Sequence, residues 1–471
     1  MLRQYFSRHW HGAGGIAALI PIAVPMILSN IFDTVMMFVD RLYLAYVGKE
    51  QMAACMGAGI TSWSCMVFFV SVISYASAMV ARSYGAGRHS DCPPVVWQGV
   101  RLGLLSYPLV IAIGFLAVRT FAVAGHDPLQ IKLETTYFWY MLIGGGILAL
   151  IRAPLAAFFS GIGKTKVIMQ ASFVAMFVNL LFNYLLIFGK CGFPRLEIVG
   201  AALGTLLSSL AMDIILLVVF LRHCKRPEFK NPTAWKYNGI LTRTLLRYGL
   251  PTGLDAFLGT SAFNLAIVLF HSYGADAAAA VTIAMNWDLI AFFPLMGVQV
   301  AVTTLVSQNL GAGDIKAAER SAYSGCKLNV LYSLLIMSLF LFLPRLLVSV
   351  FTPESDGLDY SVVSQLAVRL LRWAAFYLIF EGVYLAFSGA LRGGGDTLWA
   401  MLIGLFFHWF LAINVMITSR LLKFTLLGSW RAWVLSFVLG GTLIYWRFKT
   451  GHWKKISFNA AEKAKQELPA C

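Results

Sequence analysis

Gly85-Ala86-Gly87 read against Gly311-Ala312-Gly313 decides how this chain is built. The triplets lie 311 − 85 = 226 residues apart, and Pro25 recurs as Pro251 at the same interval, 251 − 25 = 226. Further along, Phe159-Ser160-Gly161 recurs as Phe387-Ser388-Gly389, at 387 − 159 = 228. Three landmarks in one order and near-constant register mark an internal duplication.

Both copies are hydrophobic enough for lipid. The 471 residues are 59% hydrophobic and 12% charged, with a mean hydropathy of +0.75, where soluble proteins carry about 25% charged residues. Apolar stretches long enough to span a bilayer, roughly 20 residues each, start near residues 16, 53, 94, 134, 167, 198, 249, 279, 321, 360, 396 and 425. They lack the alternation of a transmembrane barrel. The expected fold is therefore all-α and integral to the membrane: twelve transmembrane helices in two six-helix lobes related by pseudo-twofold symmetry. The expected domains are an N-terminal tail (1–15), an N-lobe (16–222), an inter-lobe linker (223–248), a C-lobe (249–446) and a C-terminal tail (447–471), whose last residues read as a polar helix.

The net charge of +16 is a matter of orientation. With twelve crossings, the larger share of Lys and Arg falls on the side holding both termini, including Lys164, Lys166 and the run from Arg222 to Arg247. By the positive-inside rule that side is cytoplasmic. A nucleic-acid partner is excluded on this distribution. Seven scattered cysteines show no C-x-x-C and no metal spacing, so no disulfide framework is expected. The first span is too long for a signal-peptide core and should stay in the membrane.

Acids inside spans are the most informative residues, because a carboxylate at membrane depth is costly unless paired or solvated. Asp33 and Asp40 lie seven apart on one face of span 1. Asp40 is a coupling candidate, the bland alternative being a pair with the adjacent Arg41. Asp255 (span 7), Asp288 (span 8) and Glu381 (span 10) come from three helices of one half and can converge on one wet pocket. There they would bind Na⁺ through oxygens or hold a proton. The alternative is that Arg369 and Arg372 neutralise Glu381. Asp213 reads as structural. Asn179 and Asn183, one turn apart in span 5, offer uncharged oxygens or helix-to-helix hydrogen bonds. Gly144-Gly145-Gly146 reads as a close-packing site, and Pro21, Pro25 and Pro251 as kink positions. Gly161-Ile-Gly-Lys164-Thr165 imitates a phosphate loop, but Phe158 stands where its first glycine belongs. No nucleophile triad or paired-His metal spacing appears, so the chain does not read as an enzyme.

These residues resemble the MATE (multidrug and toxic compound extrusion) transporters over about residues 15–450. The matching pieces are Pro25 with Phe38-Val39-Asp40, Gly85-Ala86-Gly87, Asn179 to Gly189 with Gly200-Ala-Ala, Leu250-Pro251, Ala284-Met-Asn286, Pro294, Leu310 to Gly313, and Gly389-Ala-Leu-Arg392-Gly-x-x-Asp396-Thr397. The resemblance is closest to the NorM-type branch. It implies two six-helix lobes around a central cleft and cation-coupled export by alternating access. Asp40 falls at the family's helix 1 acid, Glu381 at the NorM-type helix 10 acid, and Asn179 at a polar position of helix 5. The chain departs from the pattern at Gly259, where the helix 7 acid belongs, with Asp255 one turn earlier. It departs again at Asn183, where some members carry an acid, and Asp288 is an additional carboxylate.

The resulting expectation is an antiporter exporting organic, cationic or amphiphilic compounds against Na⁺ or H⁺. It would be a monomer embedded among lipids in the plasma (inner) membrane, with both termini cytoplasmic and no cofactor beyond the coupling ion. The rival reading is a flippase of lipid-linked saccharides.

Overall fold

The computed structural model describes residues 10, 12–123, 127–351 and 361–457. Most of the N-terminal tail and the polar segment after residue 457 lie outside the described residues. Twelve helices are long and apolar enough to cross a membrane: α1 (Ile16–Ala45), α2 (Glu50–Gly85), α3 (His89–Val123), α4 (Pro128–Gly161), α5 (Lys166–Phe188), α6 (Glu197–Cys224), α7 (Gly239–His271), α8 (Ala275–Ala312), α9 (Ile315–Phe342), α10 (Ser361–Gly394), α11 (Thr397–Leu421) and α12 (Leu426–Lys449). No strand occurs among the described residues. Each apolar stretch read from the sequence is one of these helices.

The largest difference is in α7, which starts at Gly239 and not near 249. Its first turns carry Thr242, Arg243 and Arg247. Hydropathy marks only the part of a helix at hydrocarbon depth, whereas the helix itself continues into the headgroup region, where such side chains are solvated.

The chain forms two compact units. One comprises Val24–Gly253 with Leu310–Gly313. In it α4 packs on α2 and α3, and α5 pairs extensively with α6. The other comprises Met1–Ala23, Leu254–Asn309 and Asp314–Cys471; there α10 packs on α9 and α12, and α12 on α11. The chain thus passes between units inside α1 and inside α7, beside Pro25 and Pro251, and briefly again at the end of α8. Both helices run through these prolines without losing helical state.

The stretch 223–248 is docked on the first unit. Gln98 Nε2 donates to the Lys236 carbonyl (3.0 Å) and Asn231 Nδ2 to the Ser90 carbonyl (3.0 Å). Phe229 is buried, stacked on His89 and edge-on to Phe158.

The repeated glycines have equivalent work in each copy. Gly87 and Gly313 follow the ends of α2 and α8 with φ of 73° and 85°, a left-handed conformation that glycine adopts without steric cost. A Cβ on Gly161 would stand 2.8 Å from the Ser77 carbonyl oxygen of α2, and one on Gly389 would stand 2.7 Å from the Gln299 carbonyl oxygen of α8. α4 therefore meets α2, and α10 meets α8, at backbone distance, the small-residue packing that holds helices together in lipid. Gly144 is similar, its missing Cβ leaving room for Leu206.

Gly161→Ala and Gly389→Ala should each destabilise the protein by about 1–3 kcal/mol through overpacking. Melting temperature in detergent checks this, with Gly59→Ala, whose Cβ meets nothing within 4 Å, expected to melt like the wild type.

Candidate functional site

Several polar groupings stand inside the helix bundles. The first surrounds Asp40 of α1, which is 6% exposed. Asn183 of α5 donates its amide N–H to Asp40 Oδ1, and the Thr205 hydroxyl of α6 donates to Oδ2 at 3.1 Å. Asn179, one turn before Asn183, reaches the Thr205 hydroxyl at 3.4 Å. The amide oxygens of Asn179 and Asn183 are buried and have no hydrogen-bond partner among the described residues. Gly204 makes room for this arrangement, since a Cβ there would collide with Asn183 Oδ1. The grouping is thus a carboxylate, two unspent amide oxygens and a hydroxyl on three helices of one unit. Such an oxygen-rich set suits a hard cation. Arg41 interacts electrostatically with Asp40 but forms no ion pair with it among the described residues.

Two turns away on the same helix, Asp33 is exposed and interacts electrostatically with Arg152 of α4. Arg152 Nε also faces Asp213 Oδ1 of α6 at 3.9 Å. Asp213, expected to be structural, has this arginine as its ionic neighbour.

In the other unit the acids separate into two places. Asp288 of α8 accepts a hydrogen bond from the Tyr377 hydroxyl of α10. Glu381 lies one turn after Tyr377 and interacts electrostatically with Asp288; its Oε2 is buried without a hydrogen-bond partner. Tyr377 is held by stacking on Phe437 (4.3 Å between centroids) and by edge contact with Trp433 (5.3 Å). Arg369 and Arg372 are exposed and form no ion pair with Glu381 among the described residues.

Asp255 does not join this pair. Its Oδ2 is bound by Arg392 Nη2 of α10 at 2.6 Å, and Tyr384 and His408 lie beside it. Gly404 of α11 allows the approach, as a Cβ there would stand 2.2 Å from Asp255 Oδ1. The Asp255–Asp288–Glu381 cluster expected from the sequence is therefore not assembled. Among the described residues no group of three or more His, Cys, Asp or Glu is placed to hold a metal ion.

Comparison with known proteins agrees with the helix count and the duplication. The MatE family model matches residues 25–185 and again 251–417, once per copy. The chain belongs to the MatE family. It is 26% identical over 462 residues to the probable multidrug resistance protein NorM of Thermotoga maritima, covering 95% of both chains. It is 30% identical over 409 residues to the protein of the same name from Mesorhizobium japonicum, covering 84% of this chain and 85% of that one. Among solved structures, an outward-facing multidrug resistance MATE family transporter superposes with a TM-score of 0.83 at 17% identity, covering 94% of this chain and 97% of that one. A MATE protein in complex with MaL6 gives 0.81 at 18% identity, covering 95% and 99%. At these identities the structures speak to the fold alone.

Against that family frame, the sequence reading missed the partners and not the acids. Tyr377 is four residues before Glu381 and so on its helical face, a signal that was available. Arg392 sits inside the quoted Gly389–Thr397 motif, but nothing in its spacing pairs it with Asp255, 137 positions away. Asp396 of that motif is likewise taken by Arg447, at 2.8 and 3.2 Å.

Removing one partner of a buried pair leaves an uncompensated charge, at a cost of about 3–5 kcal/mol. Arg392→Gln should therefore lower expression and melting temperature sharply, and the double substitution Asp255→Asn/Arg392→Gln should recover most of the loss. Thermal unfolding of all three purified variants checks this.

Proposed function

We propose that this MatE-family chain is a cation-coupled antiporter that exports organic cationic or amphiphilic compounds, taking up Na⁺ or H⁺ in exchange. The observation that carries the proposal is that each compact unit holds a carboxylate beside buried oxygens that have no hydrogen-bond partner among the described residues: Asp40 with the amide oxygens of Asn179 and Asn183 in one, and Glu381, through its own Oε2, next to Asp288 in the other. An unsatisfied polar group in a membrane interior is costly. Its retention is accounted for when a cation or proton is what satisfies it.

The curated relatives bear multidrug resistance names, which supports efflux over the flippase reading. In the proposed cycle Asp40 and the Glu381–Asp288 pair are the groups whose charge the coupling ion changes. Filling them favours one arrangement of the chain by its differential affinity. Pro25 and Pro251, lying where α1 and α7 pass between units, are the proposed bending points, because each removes a backbone hydrogen bond from its helix. Asp255, bound to Arg392, holds α7 to α10 in this reading and carries no coupling ion. The proposed location is the plasma membrane with both termini cytoplasmic.

Glu381→Gln and Asp40→Asn keep side-chain shape and remove the charge. Each should leave the protein folded while lowering gradient-driven efflux of a fluorescent organic cation from reconstituted vesicles by about tenfold or more. Na⁺ and pH gradients imposed separately identify the coupling ion. Wild-type rates in either variant would remove that residue from the cycle. For orientation, a cysteine at position 230 should resist membrane-impermeant thiol reagents in intact cells and react after lysis.

A further inference from the structure

A second polar layer lies two turns from Asp40 within the same compact unit, built by α1, α4, α5 and α6. Ser29 of α1 and Ser172 of α5 share a hydrogen bond of 2.6 Å, and Ser172 reaches the Met212 sulfur of α6 at 3.9 Å. That sulfur is 3.7 Å from Arg152 Nη1 of α4. Arg152 stands with Asp33 and Asp213. Each of the three charged residues is at least nine residues from either end of its helix, about 14 Å at 1.5 Å per residue. They therefore lie at hydrocarbon depth.

Three observations point to a ligand here. Asp33 is exposed, and a carboxylate exposed at that depth is costly unless water or a charged partner meets it. Asp213, whose side chain is 7% exposed, has both carboxylate oxygens buried with no hydrogen-bond donor among the described residues. Arg152 is 27% exposed, and its contacts are a thioether and an ion pair at 3.9 Å, beyond hydrogen-bond length. A guanidinium has five N–H donors in a fork that fits a carboxylate. Here that fork is held by two acids through space and spent on neither.

We propose that Arg152 is a specificity-determining residue of the transport site: its guanidinium takes a carboxylate carried by the transported compound while Asp33 takes the same compound's ammonium group. Arg152 then sets this chain's preference between amphoteric compounds and plain cations. The assignment rests on the export reading only in treating the ligand as cargo. Two acids and one arginine leave a net charge of −1. A plain cation is drawn by the excess acid and repelled by the guanidinium, whereas an amphoteric compound engages both. Removing the arginine must therefore move the two ligand types in opposite directions, whereas a merely structural arginine would weaken both.

The test is equilibrium binding, by fluorescence anisotropy, of two xanthene dyes to the purified full-length protein. One dye is a methyl ester with a single positive charge; the other is its free acid, which also carries a carboxylate. Arg152→Gln should raise the Kd of the free acid about tenfold or more, the loss of a charge-assisted bidentate contact, and should lower that of the ester. Arg152→Lys keeps the charge and loses the fork, so it should weaken the free acid while leaving the ester unchanged. If Arg152→Gln does not fold, the lysine variant decides by the same comparison. Parallel changes for both dyes, no change for either, or a wild type that does not bind the free acid would overturn the proposal. Efflux is measured separately: a wild type that binds both dyes and moves neither under a gradient overturns the export reading and leaves Arg152 as a ligand-selecting residue.

Discussion

A charge taken to membrane depth must find its counterpart from the helices around it, and that constraint organises the interior of this protein. The buried acids described above meet it in more than one way. Asp40 is met by an amide and a hydroxyl, Asp255 by an arginine, Asp288 by a tyrosine hydroxyl, and Asp396 by a bidentate arginine. The answers sort the acids by role. Full ion pairs such as Asp396–Arg447 fix one helix to another. Carboxylates met only by neutral donors keep an uncancelled charge that a cation can still use.

The scaffold that makes those meetings reproducible is the duplicated set of close helix contacts. In lipid there is no hydrophobic drive to bring helices together, so association depends on packing and on polar contacts. Gly161 and Gly389 supply the packing at equivalent places in the two copies. Gly87 and Gly313 end the preceding helices in the same conformation. With α2 against α4 and α8 against α10 set in this way, Glu381 and Tyr377 are carried on one face of α10, with Asp288 opposite them on α8. The match of the MatE family model once per copy reflects the same repetition.

Within one unit, the face of α1 that carries Ser29, Asp33 and Asp40 meets the faces of α5 and α6 that carry Ser172, Asn179, Asn183, Thr205 and Asp213. The spacings within α1 and α5 are close to whole turns. The result is two polar layers at different depths, one neutral apart from its acid and one containing an arginine.

The sequence by itself determined the membrane class, the number of spans, the duplication and the family, because hydropathy, spacing and glycine positions are local properties of the chain. It also identified Asp40, Asn179, Asn183, Asp288 and Glu381 as members of polar groupings, since a carboxylate or amide inside an apolar run is conspicuous without coordinates. Partnership was a different matter. Asp255 read as a third member of the Asp288–Glu381 group, and only the tertiary structure gave it to Arg392, because pairing depends on the rotation of α7 and α10 about their own axes. Arg152 drew no attention in the sequence, yet the structure sets it between Asp33 and Asp213. The sign of a site is the sum of charges contributed by separate helices, and that sum exists only once the helices are packed.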